Sequence, residues 1–294
     1  MNERRINKAK VLLRRIQWNV QFPPGSYYSP IPSVTEVRRR EDSLFASRRE
    51  LPGIDLREIE QLALINEFAN YYPDFPFTDE STPPHRYYLN NRFFGYGDGV
   101  ILYSIMRHVR PTRVVEIGSG FSSALMLDVN EQFLDNQIEF TFVDPNTERL
   151  DSLLSVADRR NHRIIKRNVQ EIEESGDLFG GLGSGDVLFI DSSHVSKVGS
   201  DVNFLMLEVL PRLSSGVIVH VHDIFDSFEY PKEWVMNGRA WNEAYLLRAL
   251  LTSSTAFEIM IFNAFLKAFH RQEVSALLPL WEPRLAGSLW LKKA

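Results

Sequence analysis

From about residue 98 onward, short apolar runs alternate with runs of helical period, and most of the apolar runs end in a polar side chain. Strands are expected at residues 113–117, 138–143, 163–166, 187–190 and 217–221, with two more at 257–262 and 288–291. Helices are expected between them, at 99–109, from about Ser122, from about Thr147, at 201–213 and at 239–251. Serial strand–helix units require a parallel sheet with crossover helices. Apolar strands without polar alternation suit a sheet covered on both faces. The expected fold class is therefore α/β, a Rossmann-like doubly wound sheet. Ligands of such sheets bind beyond the carboxyl ends of the strands. Glu116, Asp144, Asn168, Asp191, His222 and Asp223 are all expected there, which makes that edge the candidate site.

The N-terminal part is different. Ile6, Ala9, Leu13, Ile16 and Val20 recur at helical spacing, with Lys8, Arg14 and Arg15 on the other face. Such a helix packs on the body or on a second subunit, or rests on an anionic membrane surface. Proline-rich stretches follow at residues 22–33 and 75–84. Between them, Asp55 with Glu58 three positions on reads as a capping box, and Leu56, Ile59, Leu62, Ile65 and Phe68 as the apolar stripe of a helix. Two domains are expected: a mainly helical extension at 1–86, serving as a lid or an oligomer contact, and the α/β domain at 87–294.

Composition narrows the functional classes. The chain has no cysteine, which excludes disulfides, thiolate zinc sites and cysteine nucleophiles. A net charge of −5 over 294 residues offers no basic surface for nucleic acid. No apolar run is long enough to span a membrane, so a cytoplasmic soluble protein is the expectation.

The stretch VVEIGSGFSS, residues 114–123, is a strand, a glycine turn and a helix start. Glycines there let the backbone approach a ligand, and the helix start offers free N–H groups. Asp144, after the second strand, is placed to accept hydrogen bonds from ribose hydroxyls. A dinucleotide fingerprint would carry a third glycine where Ser123 stands. Glu116 is awkward beside a pyrophosphate and favourable beside an ammonium or sulfonium group. The residues thus favour S-adenosyl-L-methionine over NAD. An NAD-dependent oxidoreductase and a catalytically inactive cofactor-binding scaffold remain as alternatives.

VVEIGSGFSS, FVDP, Asn168 and VLFIDSSH together resemble the successive cofactor motifs of class I S-adenosylmethionine-dependent methyltransferases. YLNNRFFGYGDGVILYSIMR and FEYPKEWVMNGRAWNEAYLL more narrowly resemble a bacterial small-molecule subgroup related to macrolide-sugar O-methyltransferases. The resemblance implies a seven-stranded, mostly parallel sheet with a reversed last strand, and methyl transfer to a hydroxyl of a sugar or natural product. It assigns cofactor contacts to Glu116, Gly118, Ser119, Gly120, Ser122, Asp144, Asn168, Val169 and Asp191.

Methyl transfer to an alcohol needs alignment and a proton acceptor. His222, His194 and Asp191 are the catalytic candidates, and His220, deeper in the same strand, reads as a hydrogen-bonded core histidine. Asp191 and Asp223, after neighbouring strands, are candidate ligands for a divalent ion such as magnesium, although Ile224 stands where the resemblance to metal-dependent small-molecule O-methyltransferases implies a second ligand. Tyr230, Trp241 and Asn242 are candidate substrate contacts, an aromatic and amide lining suited to a sugar ring.

Overall fold

The computed structural model describes residues 20–172, 175–284 and 286–294. The chain divides into two compact units. Of the described residues, one comprises 20–46 together with Tyr230–Trp241, and the other comprises Ser47–Glu229 and Asn242–Ala294. The division by packing therefore falls at Ala46, and residues 47–86 belong with the sheet. The expected N-terminal helix lies, but for Val20, outside the described residues. The smaller unit has short helices at Val34–Arg39, capped by Ser33, and Glu41–Leu44, with Lys232 paired to Glu41 at 2.9 Å.

The larger unit is built on seven strands: β1 (Arg113–Ile117), β2 (Glu139–Val143), β3 (Arg163–Ile165), β4 (Val187–Ile190), β5 (Ile218–Val221), β6 (Phe257–Phe262) and β7 (Leu289–Lys293). Their order across the sheet is β3-β2-β1-β4-β5-β7-β6. The first five are parallel, and β7 runs antiparallel to both β5 and β6. This is the Rossmann-like, mostly parallel sheet with a reversed last strand. β1 lies between β2 and β4, so the chain leaves the centre in one direction after β1 and returns to the other side at β4. That switch in order sets a crevice at the carboxyl end of β1.

The central strands are buried along nearly their whole length. One row across the sheet explains two of the polar residues in them. Phe142, Glu116, Phe189, His220 and Trp290 are register partners in succession, so their side chains share a face. His220 stacks on Phe189 with ring centroids 3.8 Å apart and lies 4.6 Å from Trp290. It is a core residue, but it is not the hydrogen-bonded one expected. Neither ring nitrogen has a hydrogen-bond partner among the described residues. Burial, aided by the charge on His222, holds its pKa well below 6.5.

Several expected elements shift. The helix before β1 starts earlier, at Tyr96, and ends at Val109. The region 201–213 is a helix at Asp201–Phe204, a π-helical turn at Leu205–Val209 and a 3₁₀ turn at Leu210–Arg212, where Pro211 denies the ladder an N–H. The region 239–251 is helical only over Glu243–Leu251. The capping box at Asp55 does not form. Asp55 accepts instead from the Arg57 N–H at 3.0 Å, Arg57 takes a left-handed backbone, and the helix opens at Glu58. Ile59, expected on the apolar stripe, is 81% exposed. Gln61 takes the inward position, donating to the Leu56 carbonyl and accepting from the Phe262 N–H.

Ahead of Tyr96, Arg86 ties the incoming chain to the body. Its guanidinium reaches Asp128 at 2.6 Å, Glu131 at 2.5 Å and Asp158 at 2.8 Å. Forked pairing of this kind fixes orientation as well as charge.

The unpartnered imidazole of His220 has a consequence for stability. A histidine held neutral in the fold but free to protonate when unfolded favours unfolding as pH falls below about 6.5. Wild type is therefore expected to lose stability between pH 7 and 5 relative to His220→Leu, in denaturant titrations run at both pH values. A pH-independent difference between the two would contradict a neutral, buried His220.

Candidate functional site

At the carboxyl ends of β1, β2 and β4 lies a cavity of about 380 Å³, within the range for small-molecule sites. Ile117, Gly118, Val143, Asp144, Asn168, Val169, Gln170, Asp191, Ser192, Lys197 and Asp201 are among the residues that line it. Three carboxylates face one lysine there, a lining suited to a cationic ligand and poorly suited to a pyrophosphate.

The cavity depends on the turn after β1. Gly118 has φ +78°, and a Cβ on it would collide with the Asp191 carbonyl oxygen. Its N–H donates to Val143 at 2.9 Å, and the Asp191 N–H donates to Ile117 at 2.8 Å. These bonds lock the ends of β2, β1 and β4 together. Asp144 then accepts from the Ser119 N–H at 2.9 Å and the Asn146 N–H at 2.7 Å. One bond per oxygen leaves lone pairs for a ligand. Asn168 donates to Glu171 at 3.0 Å and makes no cap for the turn that follows. Gln170 presents a buried Oε1 that has no partner among the described residues.

Glu116 is not at the strand end. It faces the sheet side of the turn, fully buried, and accepts from Ser122 at 2.5 Å and from Ser123. Ser123 in turn accepts from the Gly120 N–H at 2.9 Å. Glu116 thus braces the glycine turn from beneath and does not line the cavity. Burial pushes its pKa up to about 8, against the pull of the two serine hydroxyls. Ser119, Gly120 and Ser122 likewise belong to the turn and are not among the cavity-lining residues. Gly120 is covered by Arg149, whose guanidinium lies 3.6 Å from the Phe93 ring centroid.

The second part of the site centres on His194. It was expected on a surface loop, but it is buried, with φ 59°. Its Nδ1 lies 2.9 Å from Glu243 Oε2, and its Nε2 lies 3.3 Å from Asp191 Oδ1 and 3.5 Å from Asp223 Oδ2. Burial disfavours its charge, but the hydrogen bonds to Asp191 and Glu243 outweigh that and hold its pKa well above 6.5. Asp191 is only half-buried; its surroundings oppose its charge, but the hydrogen bond from His194 and the charge of His222 outweigh that and lower its pKa. Asp223 is raised, because burial outweighs the attraction of His222 and His194. His222 packs 5.3 Å from Phe94, with Nε2 3.7 Å from Asp223 Oδ1. Burial opposes its charge, while Asp223, Asp191 and Asp98 raise its pKa.

Asp191 and Asp223 do come together, but not around a shared space for an ion. Both converge on the His194 Nε2, and among the described residues no group of three or more histidines and carboxylates has an arrangement that would hold a metal. The side chains as arranged serve His194, so the pairing of these two as magnesium ligands is not the geometry found.

Residues 115–224 match the family model described as a methyltransferase domain. An uncharacterised protein of Archaeoglobus fulgidus is 40% identical over 159 residues, covering 52% of this chain and 71% of the archaeal protein. This chain belongs to the family of that archaeal protein. Among solved structures, the O-methyltransferase TomG of Streptomyces achromogenes, in complex with SAM, is 14% identical with a TM-score of 0.40, covering 88% of this chain and 96% of that one. A methyltransferase of Geobacter sulfurreducens is also 14% identical, with a TM-score of 0.35, covering 89% and 97%.

The segment that matches the family model gathers Gly118, Asp144, Asn168, Val169 and Asp191 of the expected cofactor residues at one cavity. Tyr230 and Trp241 fall in the smaller unit, their rings edge-on at 5.7 Å. Asn242 belongs to the larger unit, where its Oδ1 accepts from the Ser196 N–H at 2.5 Å. Sequence reading missed Glu243, Phe94 and Gln170. A glutamate in the first turn of a helix reads as a solvated end, and nothing local marks Glu243 as buried.

Glu116 offers a direct test of the turn. A carboxyl raised from 4.5 to about 8 stabilises the fold fully below pH 4.5, and this contribution is lost as pH rises to about 8. Relative to Glu116→Gln, wild type is expected to lose on the order of a few kcal/mol between pH 5 and pH 9 in denaturant titrations. A gap between the two proteins that stays constant with pH would show that Glu116 is ionised throughout.

Proposed function

We propose that this chain is an S-adenosylmethionine-dependent methyltransferase acting on a hydroxyl of a small molecule. The observation that carries the reading is the acidic cavity at the β1–β4 switch within the methyltransferase domain, with Asp144 at the end of β2. Asp144 keeps free lone pairs for ribose hydroxyls, and Gln170 Oε1 offers an acceptor for an adenine amino group. Asn168 and Val169 flank the same wall. Asp191 reaches from the cavity toward His194 and the second part of the site. The residues fit the cofactor.

When bound, S-adenosylmethionine supplies a methyl group on sulfonium: an acceptor oxygen lone pair forms the new bond as the carbon–sulfur bond breaks, its electron pair leaves with sulfur, and the oxygen gives up its proton. The protein has to align the acceptor, exclude water and receive that proton. At neutral pH, His194 already holds a proton among carboxylates. Asp223, whose pKa burial raises, is the proton acceptor in this reading, with His222 beside it. The acceptor molecule in this reading is a sugar or another hydroxylated natural product.

Isothermal titration is expected to show S-adenosylhomocysteine binding and no NAD binding. Asp144→Ala should weaken the former by about 10-fold or more, the loss of at least one charge-assisted hydrogen bond. In a labelled-methyl assay with sugar and phenol panels, Asp223→Asn should lower turnover on the order of 100-fold with cofactor affinity retained. Binding of NAD without binding of S-adenosylhomocysteine would overturn the reading.

A further inference from the structure

Glu243 has no exposed surface and sits at the first turn of the helix Glu243–Leu251. Both of its carboxylate oxygens are used. Oε1 accepts from the Ser192 hydroxyl at 2.7 Å, and Oε2 faces His194 Nδ1 at 2.9 Å. The Ser192 hydroxyl oxygen accepts from the His194 N–H at 2.9 Å. The backbone closes the same loop, since the N–H groups of Asn242 and Glu243 both donate to the His194 carbonyl, at 3.0 and 3.2 Å. Ser192, His194 and Glu243 therefore form one hydrogen-bonded ring that joins the loop after β4 to the start of a helix far along the chain.

A buried carboxylate is costly unless its lone pairs are satisfied. Here they are satisfied by the two groups that determine how one imidazole is held. The ring nitrogen not bound to Glu243 is turned toward Asp191, which lines the cavity, and toward Asp223. His194 also has a left-handed backbone, which a residue with a Cβ adopts at a cost and keeps only where its surroundings fix it.

We propose that Glu243 is a positioning residue: with Ser192 it fixes the ring of His194 so that Nε2 holds the Asp191 and Asp223 carboxylates together at the cavity. This role rests on the reading of the site as a methyl-transfer centre, and it assigns Glu243 to the orientation of the acidic pair and not to cofactor binding. The carboxylate oxygen on Nδ1 fixes the direction of that N–H and with it the orientation of the ring, as second partners of functional histidines do.

The test compares wild type, Glu243→Gln, Glu243→Ala and Ser192→Ala by three readouts. The first is the ¹⁵N signature of the His194 ring, assigned by its loss in His194→Gln. The second is S-adenosylhomocysteine affinity, and the third is turnover in the labelled-methyl assay. Glu243→Ala is expected to change the His194 signature and to lower kcat by about 100-fold, with affinity changed by less than about 3-fold. Glu243→Gln, which keeps an acceptor oxygen, should recover much of both. Ser192→Ala, a smaller perturbation that secures the test if Glu243→Ala does not fold, should move both in the same direction by less. An unchanged His194 signature in Glu243→Ala and Ser192→Ala would overturn the proposal. So would equal losses of affinity and kcat without recovery in Glu243→Gln, the mark of a purely structural role. If wild type neither binds S-adenosylhomocysteine nor transfers methyl, the functional reading fails, while the ¹⁵N signature still decides the role of Glu243.

Discussion

The close approach of Gly118 to the Asp191 carbonyl is the constraint on which the site depends. β1 and β4 are neighbours, and the chain leaves β1 through a turn with no room for a side chain. Because the turn is that tight, the Ser119 N–H reaches the Asp144 carboxylate, and Asp144 is fixed at the mouth of the cavity. On the sheet side, Glu116 holds the same turn through Ser122 and Ser123. One glycine and one buried glutamate thus set three strand ends in register, and the cavity is the space those ends leave.

The two halves of the site differ in how they are held. The cavity is made by backbone: strand ends, a turn and carboxylates fastened by N–H groups. The cluster around His194 is made by side chains, with charges gathered in a low-dielectric setting and their protonation mutually dependent. Asp191 belongs to both, lining the cavity and pairing with His194. It is the physical link between the cavity and the His194 cluster. Glu243 and Ser192 hold the second half from behind.

The sheet was legible in the sequence because its strands are short, apolar and separated by helix-period segments. The edge that carries the cavity was legible for a related reason: polar residues stop the apolar runs. Asp144, Asn168 and Asp191 follow that rule and lie at the cavity. Glu116 follows it only in appearance, since it lies inside the strand and alternation turns it to the opposite face. The His194 cluster was not legible as a cluster. Glu243 lies 49 positions from His194, and its burial is a tertiary fact with no local signal. His220 was read correctly as core but not as unpartnered, because stacking between Phe189 and Trp290 depends on register across three strands. At Asp55 and Ile59 a local pattern lost to tertiary packing, which placed Gln61 inward to satisfy the Phe262 N–H.

The central claim is that the β1–β4 switch binds the adenosyl cofactor with its ribose on Asp144 and its reactive end toward Asp191. A crystal structure with S-adenosylhomocysteine tests it most directly. The account predicts ribose hydroxyls within hydrogen-bonding distance of the Asp144 carboxylate, the adenine near Val169 and Gln170, and the sulfur on the Asp191 side of the cavity. A ligand bound elsewhere, or bound there in the reverse orientation, would contradict it.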